Sequence, residues 1–572
     1  MSKSKLPPFL RSALTKFPTF LILSTAAAYA SPTITVISPK TGTTAGAPVF
    51  YEAYAISPDC AAGIAAMRIY TAPGVDALTV SGAHIEQFLT LDPGTYSTVV
   101  QASDNCGGVS ESKVDLTVHS AAGVSVYLPN QSSLNWPVHV AASAESPSCS
   151  EGIAALRIYT SDVVSPYDIH SNTLDAYVNL VPGTYDMIVK AWDNCGHVYR
   201  SDFNVLVTAG QDAYLYGASN RQVAAFKINS DGTLNPPTFS GHAGSLAVDP
   251  GGWFVFASSQ EGIYGFQINQ SNGTLIEIPG SPFPLNTSLG NQAAPIILMD
   301  PSGNFLYVAY AGNGYSEEAS IATYRIHRSS GNLTWTGWAR SFGDPDSECY
   351  RSLQGQAVDF IGQYLYVPVS SCSASSPETY GFQTDPNHAF LNSEVAGSPY
   401  PFAGSPASTA DYLYLGSAEN NTSGDIFGGL IASGTGALSQ LNGSPFFAGS
   451  PDWPIGPVWA DWQGRFLWAW EVENQDNGLQ SFALNHATGE LTSSGAFLQF
   501  PDNTGIGDLV EDHTGRFVFT STATSPGGSP PEPTVYRVVS QTISANGTLK
   551  ESNTLTLPNE VGSLALARKD PN

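Results

Sequence analysis

Two internal periods constrain this 572-residue chain more than any other feature it has. SPDCAAGIAAMRIYT at 57–71 returns as SPSCSEGIAALRIYT at 146–160, and LDPGTYSTVVQASDNCG at 91–107 returns as LVPGTYDMIVKAWDNCG at 180–196. Both offsets are 89 residues, so Cys60 matches Cys149 and Cys106 matches Cys195. After a brief junction at Ala209–Gln211, a period of about 50 residues takes over. Its phrase, Asp-x-x-Gly-x-aromatic-aliphatic-aromatic, reads DPGGWFVF (249–256), DPSGNFLY (300–307), DFIGQYLY (359–366), DWQGRFLW (461–468) and DHTGRFVF (512–519). Shortened copies, AYLY (213–216) and DYLY (411–414), bring the count to seven. A second phrase follows, as in FQINQSNGTL and FALNHATGEL, with Gly273 and Gly489 standing where a hairpin turn needs a positive φ. The copy FQTDPNHAFL (382–391) carries His388 in place of that glycine.

Each 89-residue copy holds short runs of Val, Thr, Tyr and Ile between turn residues, the pattern of a small β-sandwich of about seven strands. VFYEAYAI (49–56) and TYSTVVQAS (95–103) each run into a cysteine. Read as strands with the same direction, they bring their following loops to one end, predicting Cys60–Cys106 and Cys149–Cys195 bridges. Closing such a loop is worth about 4 kcal/mol by chain entropy. Four strands per 50-residue unit predict a β-propeller. The first unit lacks the strand written elsewhere as SLAVD (245–249), and SLALA (563–567) supplies it from the far end of the chain, closing the ring. With 55 Gly, 40 Pro and only 12% charged residues, the composition agrees with an all-β protein. The expected organisation is two sandwiches, 32–119 and 123–208, followed by a seven-bladed propeller, 212–568. Within the propeller, Cys349 precedes an innermost strand and Cys372 follows its antiparallel neighbour, so the two meet at one sheet edge and predict a third disulfide.

The first thirty residues read as an address. Lys3, Lys5, Arg11 and Lys16 precede an apolar stretch, Phe17 to Ala28, and the small-x-small triplet Ala28-Tyr29-Ala30. That order predicts a secretory leader over 1–30 and export to the periplasm or cell exterior. The apolar run is too short to span a bilayer, and no other segment qualifies, so no membrane span is expected. Twenty-two Lys and Arg against 48 Asp and Glu, a net charge of −26, exclude nucleic acid and anionic membrane surfaces as partners.

DPSGNFLYVA, NGTLIEIPGSPF and the Gly-Ser-Pro-aromatic copies at 397–400 and 443–446 resemble the seven-bladed lactonase-type propellers. That family includes 6-phosphogluconolactonases and muconate-lactonising enzymes and shades into YVTN-type surface propellers. The resemblance covers 212–568, and its motifs are strand and turn motifs that speak for fold. It implies the propeller and, as an activity, the opening of a lactone. The two N-terminal modules resemble bacterial Ig-like domains.

Alignment on the recurring Asp puts His242 and Glu560 at one level of the ring, just ahead of the innermost strands of adjacent blades. A histidine beside a carboxylate can activate water for lactone opening, the acid fixing its tautomer. Arg351, one position off that level, is a candidate oxyanion stabiliser. A phosphorylated lactone fits poorly, because from Asp212 onward there are three Lys and nine Arg with no cluster among them. Trp453 and Trp470 are candidate stacking surfaces for a sugar or a partner. The acidic runs at 344–348 and 473–477 lack EF-hand spacing and no His/Cys set suggests zinc, so neither metal nor cofactor is expected. The resulting expectation is an exported propeller on Ig-like stalk modules that binds a small molecule, a glycan or a protein. A secreted lactonase-like hydrolase is the alternative.

Overall fold

The computed structural model describes residues 31–568 apart from 121, 161–166, 220, 287–294, 312–318, 343–351, 354–356, 359–361, 371–377, 388–389, 417–424, 448–454, 474–475 and 526–531. The leader at 1–30 lies outside the described residues, as do Cys349, Arg351, Cys372, His388 and Trp453. Every regular element among the described residues is a strand, so the chain is all-β. Among the described residues the strands form eleven sheets: four in the N-terminal third and seven radial ones after it.

Each 89-residue copy is a sandwich of a three-stranded and a five-stranded sheet. In the first, Thr33–Ser38, Val49–Ile56 and His84–Leu89 face a sheet built on Gly94–Asp104. The disulfides form as the spacing predicts, Cys60–Cys106 and Cys149–Cys195, each with Cα atoms 5.8 Å apart. They tie loops that leave strands of opposite sheets at the same end.

Val49–Ile56 is buried along nearly its whole length, and period-two alternation explains why. Tyr51 turns inward and donates to Thr98 Oγ1 at 3.0 Å. Phe50, Glu52 and Tyr54 turn outward, onto His139 of the second sandwich and Trp253 of the propeller. His84–Leu89 and Thr173–Val178 are edge strands of their sheets, and the propeller covers both. Glu86 N donates to Ser329 Oγ at 2.9 Å, and Tyr177 N to Ser302 O at 3.1 Å.

The seven radial sheets are the blades. Val561–Arg568 pairs with Asp212–Ser219, so the last strand completes the first blade and closes the ring. The repeated phrases are explained by contacts between neighbouring blades. The recurring Asp accepts the amides of its own turn, as Asp249 does from Trp253 N at 2.7 Å and Asp512 from Phe517 N at 2.9 Å. The first aromatic of one blade lies on the turn glycine of the next: a Cβ on Gly273 would stand 2.3 Å from Tyr214, and one on Gly547 2.6 Å from Phe466. The second aromatic then donates to that glycine's carbonyl, Tyr216 to Gly273 at 2.9 Å, Tyr366 to Gly436 at 2.7 Å, Tyr414 to Gly489 at 2.7 Å and Trp468 to Gly547 at 3.1 Å. The third blade departs from this: its Tyr307 donates to Asp300 Oδ1 at 3.2 Å.

The sandwiches touch the propeller at Asp-x-x-Gly turns (Trp253, Ser302, His513) and a second-phrase turn (Ser329), and also at blade strands, where Gln267 accepts from Ala83 N at 3.1 Å and Arg568 donates to Trp136 O at 3.0 Å. His242 and Glu560 lie at the opposite ends of the blade strands and, among the described residues, make no hydrogen bond, ion pair or ring contact with the sandwiches.

Candidate functional site

His242 is exposed and its ring stacks on Tyr264, centroids 4.5 Å apart and nearly parallel. Glu560 is exposed just ahead of Val561–Arg568. Their strands do sit on adjacent blades, joined where Leu246 N donates to Ser563 Oγ at 3.2 Å. No hydrogen bond or ion pair links the two side chains among the described residues. Trp470 is a core side chain: it is 5% exposed, with its ring 5.5 Å from Phe500, and has no open face for a ligand. Its aligned positions, Ser258 and Ala309, are small, so the repeat alone shows no packing role for it; Gly456 opposite makes the room.

The densest chemistry lies where the three modules meet, among residues that local spacing did not single out. Glu52 and Glu86 come from the first sandwich, His139 and Asp175 from the second, and Arg328 from a turn of the propeller. Glu86 and Asp175 occupy the same position of the 89-residue repeat. His139 Nε2 lies 2.7 Å from Asp175 Oδ1 and 3.2 Å from Glu86 Oε1, while Nδ1 lies 3.3 Å from Glu52 Oε2. Arg328 donates to Glu86 Oε1 from Nε at 2.9 Å and from its terminal nitrogen at 2.7 Å, and to Gly303 O at 3.0 Å. Its guanidinium stands 4.6 Å above the Tyr177 ring. His84 is sealed beneath Trp253, ring on ring at 4.0 Å.

Burial governs the protonation of this cluster. It pushes His84 down to about 3 and keeps that imidazole neutral. It works against charge on His139 as well, but Tyr177, Glu52 and Glu86 hold His139 well above the usual histidine range. Burial also opposes ionisation of Glu86, and Arg328 and His139 overcome it, holding that carboxyl below the usual range. Asp175 is pushed up to about 6 by burial and by Glu86.

Beside this joint a cleft of about 410 Å³ opens between the second sandwich and blades three and four. Arg157, Tyr167 and Asp168 line one wall; Asp300, Gln363 and Gln383 line the other. Arg157 and Asp168 pair with each other, yet Arg157 Nε, Asp168 Oδ1 and the Tyr177 hydroxyl are left without hydrogen-bond partners. A second hollow, about 370 Å³, lies between the inner strands of blades one, five, six and seven. Trp136 of the second sandwich stacks on His513 at its rim, ring centroids 3.9 Å apart. No helix among the described residues is long and apolar enough to cross a membrane.

No protein-family model matches the chain. A 6-phosphogluconolactonase of Formosa agariphila is 25% identical over 190 residues, 32% of this chain, and the chain spans half of that relative's length. Among solved structures, a 6-phosphogluconolactonase-like protein of Bacteroides fragilis superposes with a TM-score of 0.45 at 17% identity, over 63% of this chain and 99% of its own. The periplasmic gluconolactonase of Pseudomonas aeruginosa does so with a TM-score of 0.45 at 16% identity, over 62% and 98%. The proteins to which this chain is similar are 6-phosphogluconolactonase-like propellers.

Proposed function

We propose that this chain is an exported binding protein, in which two Ig-like modules, 32–119 and 123–208, are docked on a lactonase-like propeller, 212–568, after a leader over 1–30. The ligand is a small polar molecule of sugar size, held in the cleft between the second sandwich and blades three and four. The observation that carries this reading is the cleft itself: about 410 Å³, walled by tyrosines, acids and amides, with polar atoms of Arg157, Asp168 and Tyr177 left unpaired. Its volume falls in the range of small-molecule sites, and unpaired buried donors and acceptors are costly unless something meets them. Two paired disulfides suit an oxidising compartment outside the cytoplasm.

Lactone opening by His242, Glu560 and Arg351 is the second reading, supported by the curated relative's name. One experiment separates them. The full chain is titrated calorimetrically with mono- and disaccharides, and assayed in parallel for hydrolysis of glucono-1,5-lactone. Saturable sugar binding that Arg157→Ala and Gln383→Ala abolish supports the cleft. Binding indifferent to both substitutions, or its absence, overturns it. Turnover that His242→Ala removes establishes the second reading instead.

A further inference from the structure

We propose that the three-module joint binds one divalent transition-metal ion of the zinc class, ligated by His139 Nε2 and the carboxylates of Glu86 and Asp175. These three side chains bring their donor atoms within 4.8 Å of one another. One imidazole nitrogen with two carboxylate oxygens is a donor set suited to zinc, which takes such ligands at about 2.0–2.2 Å.

Three further observations point to a cation there. The first is Glu52. It is fully buried, neither carboxylate oxygen has a hydrogen-bond partner, and Oε2 lies 3.3 Å from Nδ1, on the opposite edge of the His139 ring from the proposed ion. A carboxylate behind a histidine is the outer-shell partner that fixes the ring of a metal ligand and raises its basicity. The second is the free side of the cluster. Glu86 Oε2 has no hydrogen-bond partner, and neither has either nitrogen of the buried His84, whose Nε2 stands 3.7 Å from that oxygen. Arg328 donates twice to the other Glu86 oxygen, Oε1, which also lies 3.2 Å from His139 Nε2, and Oε2 is the oxygen that keeps no donor. The third is charge. With His139 neutral, as a ligating imidazole is, Glu52, Glu86, Asp175 and the buried Asp249 outnumber the two guanidiniums set over the Tyr177 ring, those of Arg328 and Arg568. Buried carboxylates need compensation, and a divalent ion provides the two missing charges at once. Asp175, the one ligand whose side chain keeps some exposure, gives the ion its way in.

Because the ligands come from both sandwiches and Arg328 anchors Glu86 to the propeller, the ion would fasten the stalk to the ring. The test uses the full chain with disulfides intact, stripped with a chelator and titrated with Zn2+, with metal content read after gel filtration. We expect one Zn2+ per chain, a higher melting temperature with the ion bound, loss of that ion in Asp175→Asn, and affinity weakened about 10- to 100-fold in Glu52→Gln. A stripped wild type that retains no Zn2+ overturns the proposal, as does binding that Asp175→Asn leaves unchanged. The joint would then be held by protons and ion pairs alone.

Discussion

Replacing Arg328 with Met should loosen the stalk without unfolding the ring, and the structure sets the size of the effect. The substitution keeps most of the apolar stem and removes three hydrogen bonds, two to Glu86 Oε1 and one to Gly303 O. It leaves the Glu86 carboxylate, with no exposed side-chain surface, facing His139 and the neutral His84. Breaking a buried charge pair from one side costs about 3–5 kcal/mol, most of it the cost of the stranded charge. Two amides report on this directly. Glu86 N and Tyr177 N sit on edge strands and donate across the joint, to Ser329 and Ser302, so their protection measures the free energy of opening it. Hydrogen exchange on the native protein, in chelator so that the ion pair is read alone, should show these amides exchanging roughly a hundred- to several-thousand-fold faster, at 1.36 kcal/mol per decade. Glu86→Gln should cost a similar amount, and the double variant should fall short of the sum by about 2 kcal/mol, as coupled neighbours do. The reasoning is refuted if Arg328→Met changes exchange at both amides by less than threefold, or if the two substitutions add.

Three other outcomes follow from the same contacts. Gly273→Ala should cost about 2–4 kcal/mol, because its Cβ would meet Tyr214 at 2.3 Å in addition to the strain of φ +77°, whereas Gly280→Ala, at φ +94° with open space around it, should cost only about 1 kcal/mol; equal losses in thermal melts would show that blades do not lock through the turn glycine. Burial pushes the Asp300 carboxyl up to about 6, so the folded chain keeps a proton there that the unfolded chain has released; stability from this group is full below about pH 4 and lost as pH rises through 6, by about 3 kcal/mol, and the stability difference between wild type and Asp300→Asn should change by that amount between pH 4 and 7, a flat difference counting against it. Ser352 pairs with Ser370 in the fourth blade, three residues after Cys349 and two before Cys372, so unreduced protein should show no free thiol by mass spectrometry, and alkylation of either cysteine without reduction would exclude that third bridge.

The two periods carried the architecture because each repeat is a local solution that must be written out again for every copy. The Asp that receives its turn's amides, the glycine under a neighbour's aromatic and the strand missing from the first blade all leave marks at fixed spacing. The joint leaves none. Glu52, Glu86, His139, Asp175 and Arg328 lie on strands and a turn spread over more than 270 residues, and a search for metal ligands or catalytic pairs at short spacing passes over them. What signal there was lay in exceptions. Glu52 is a lone acid in the apolar run VFYEAYAI, which makes sense only if that strand is buried on both faces and the acid has a partner there. Glu86 and Asp175 are acids at one position of a repeat that otherwise conserves turns and core.

Trp470 illustrates the converse error. A bulky residue where aligned copies are small reads as a surface feature, but a glycine on the facing strand makes the space, so a change on one strand is matched by a change on its neighbour. The cleft follows the same rule at larger scale. Around the ring, aromatic and turn glycine fill the gap between blades; in blade three Tyr307 turns its hydroxyl to Asp300, and the cleft between blades three and four lies against the second sandwich. In a repeat protein the copies specify the scaffold, and the departures from them specify where something other than scaffold is built.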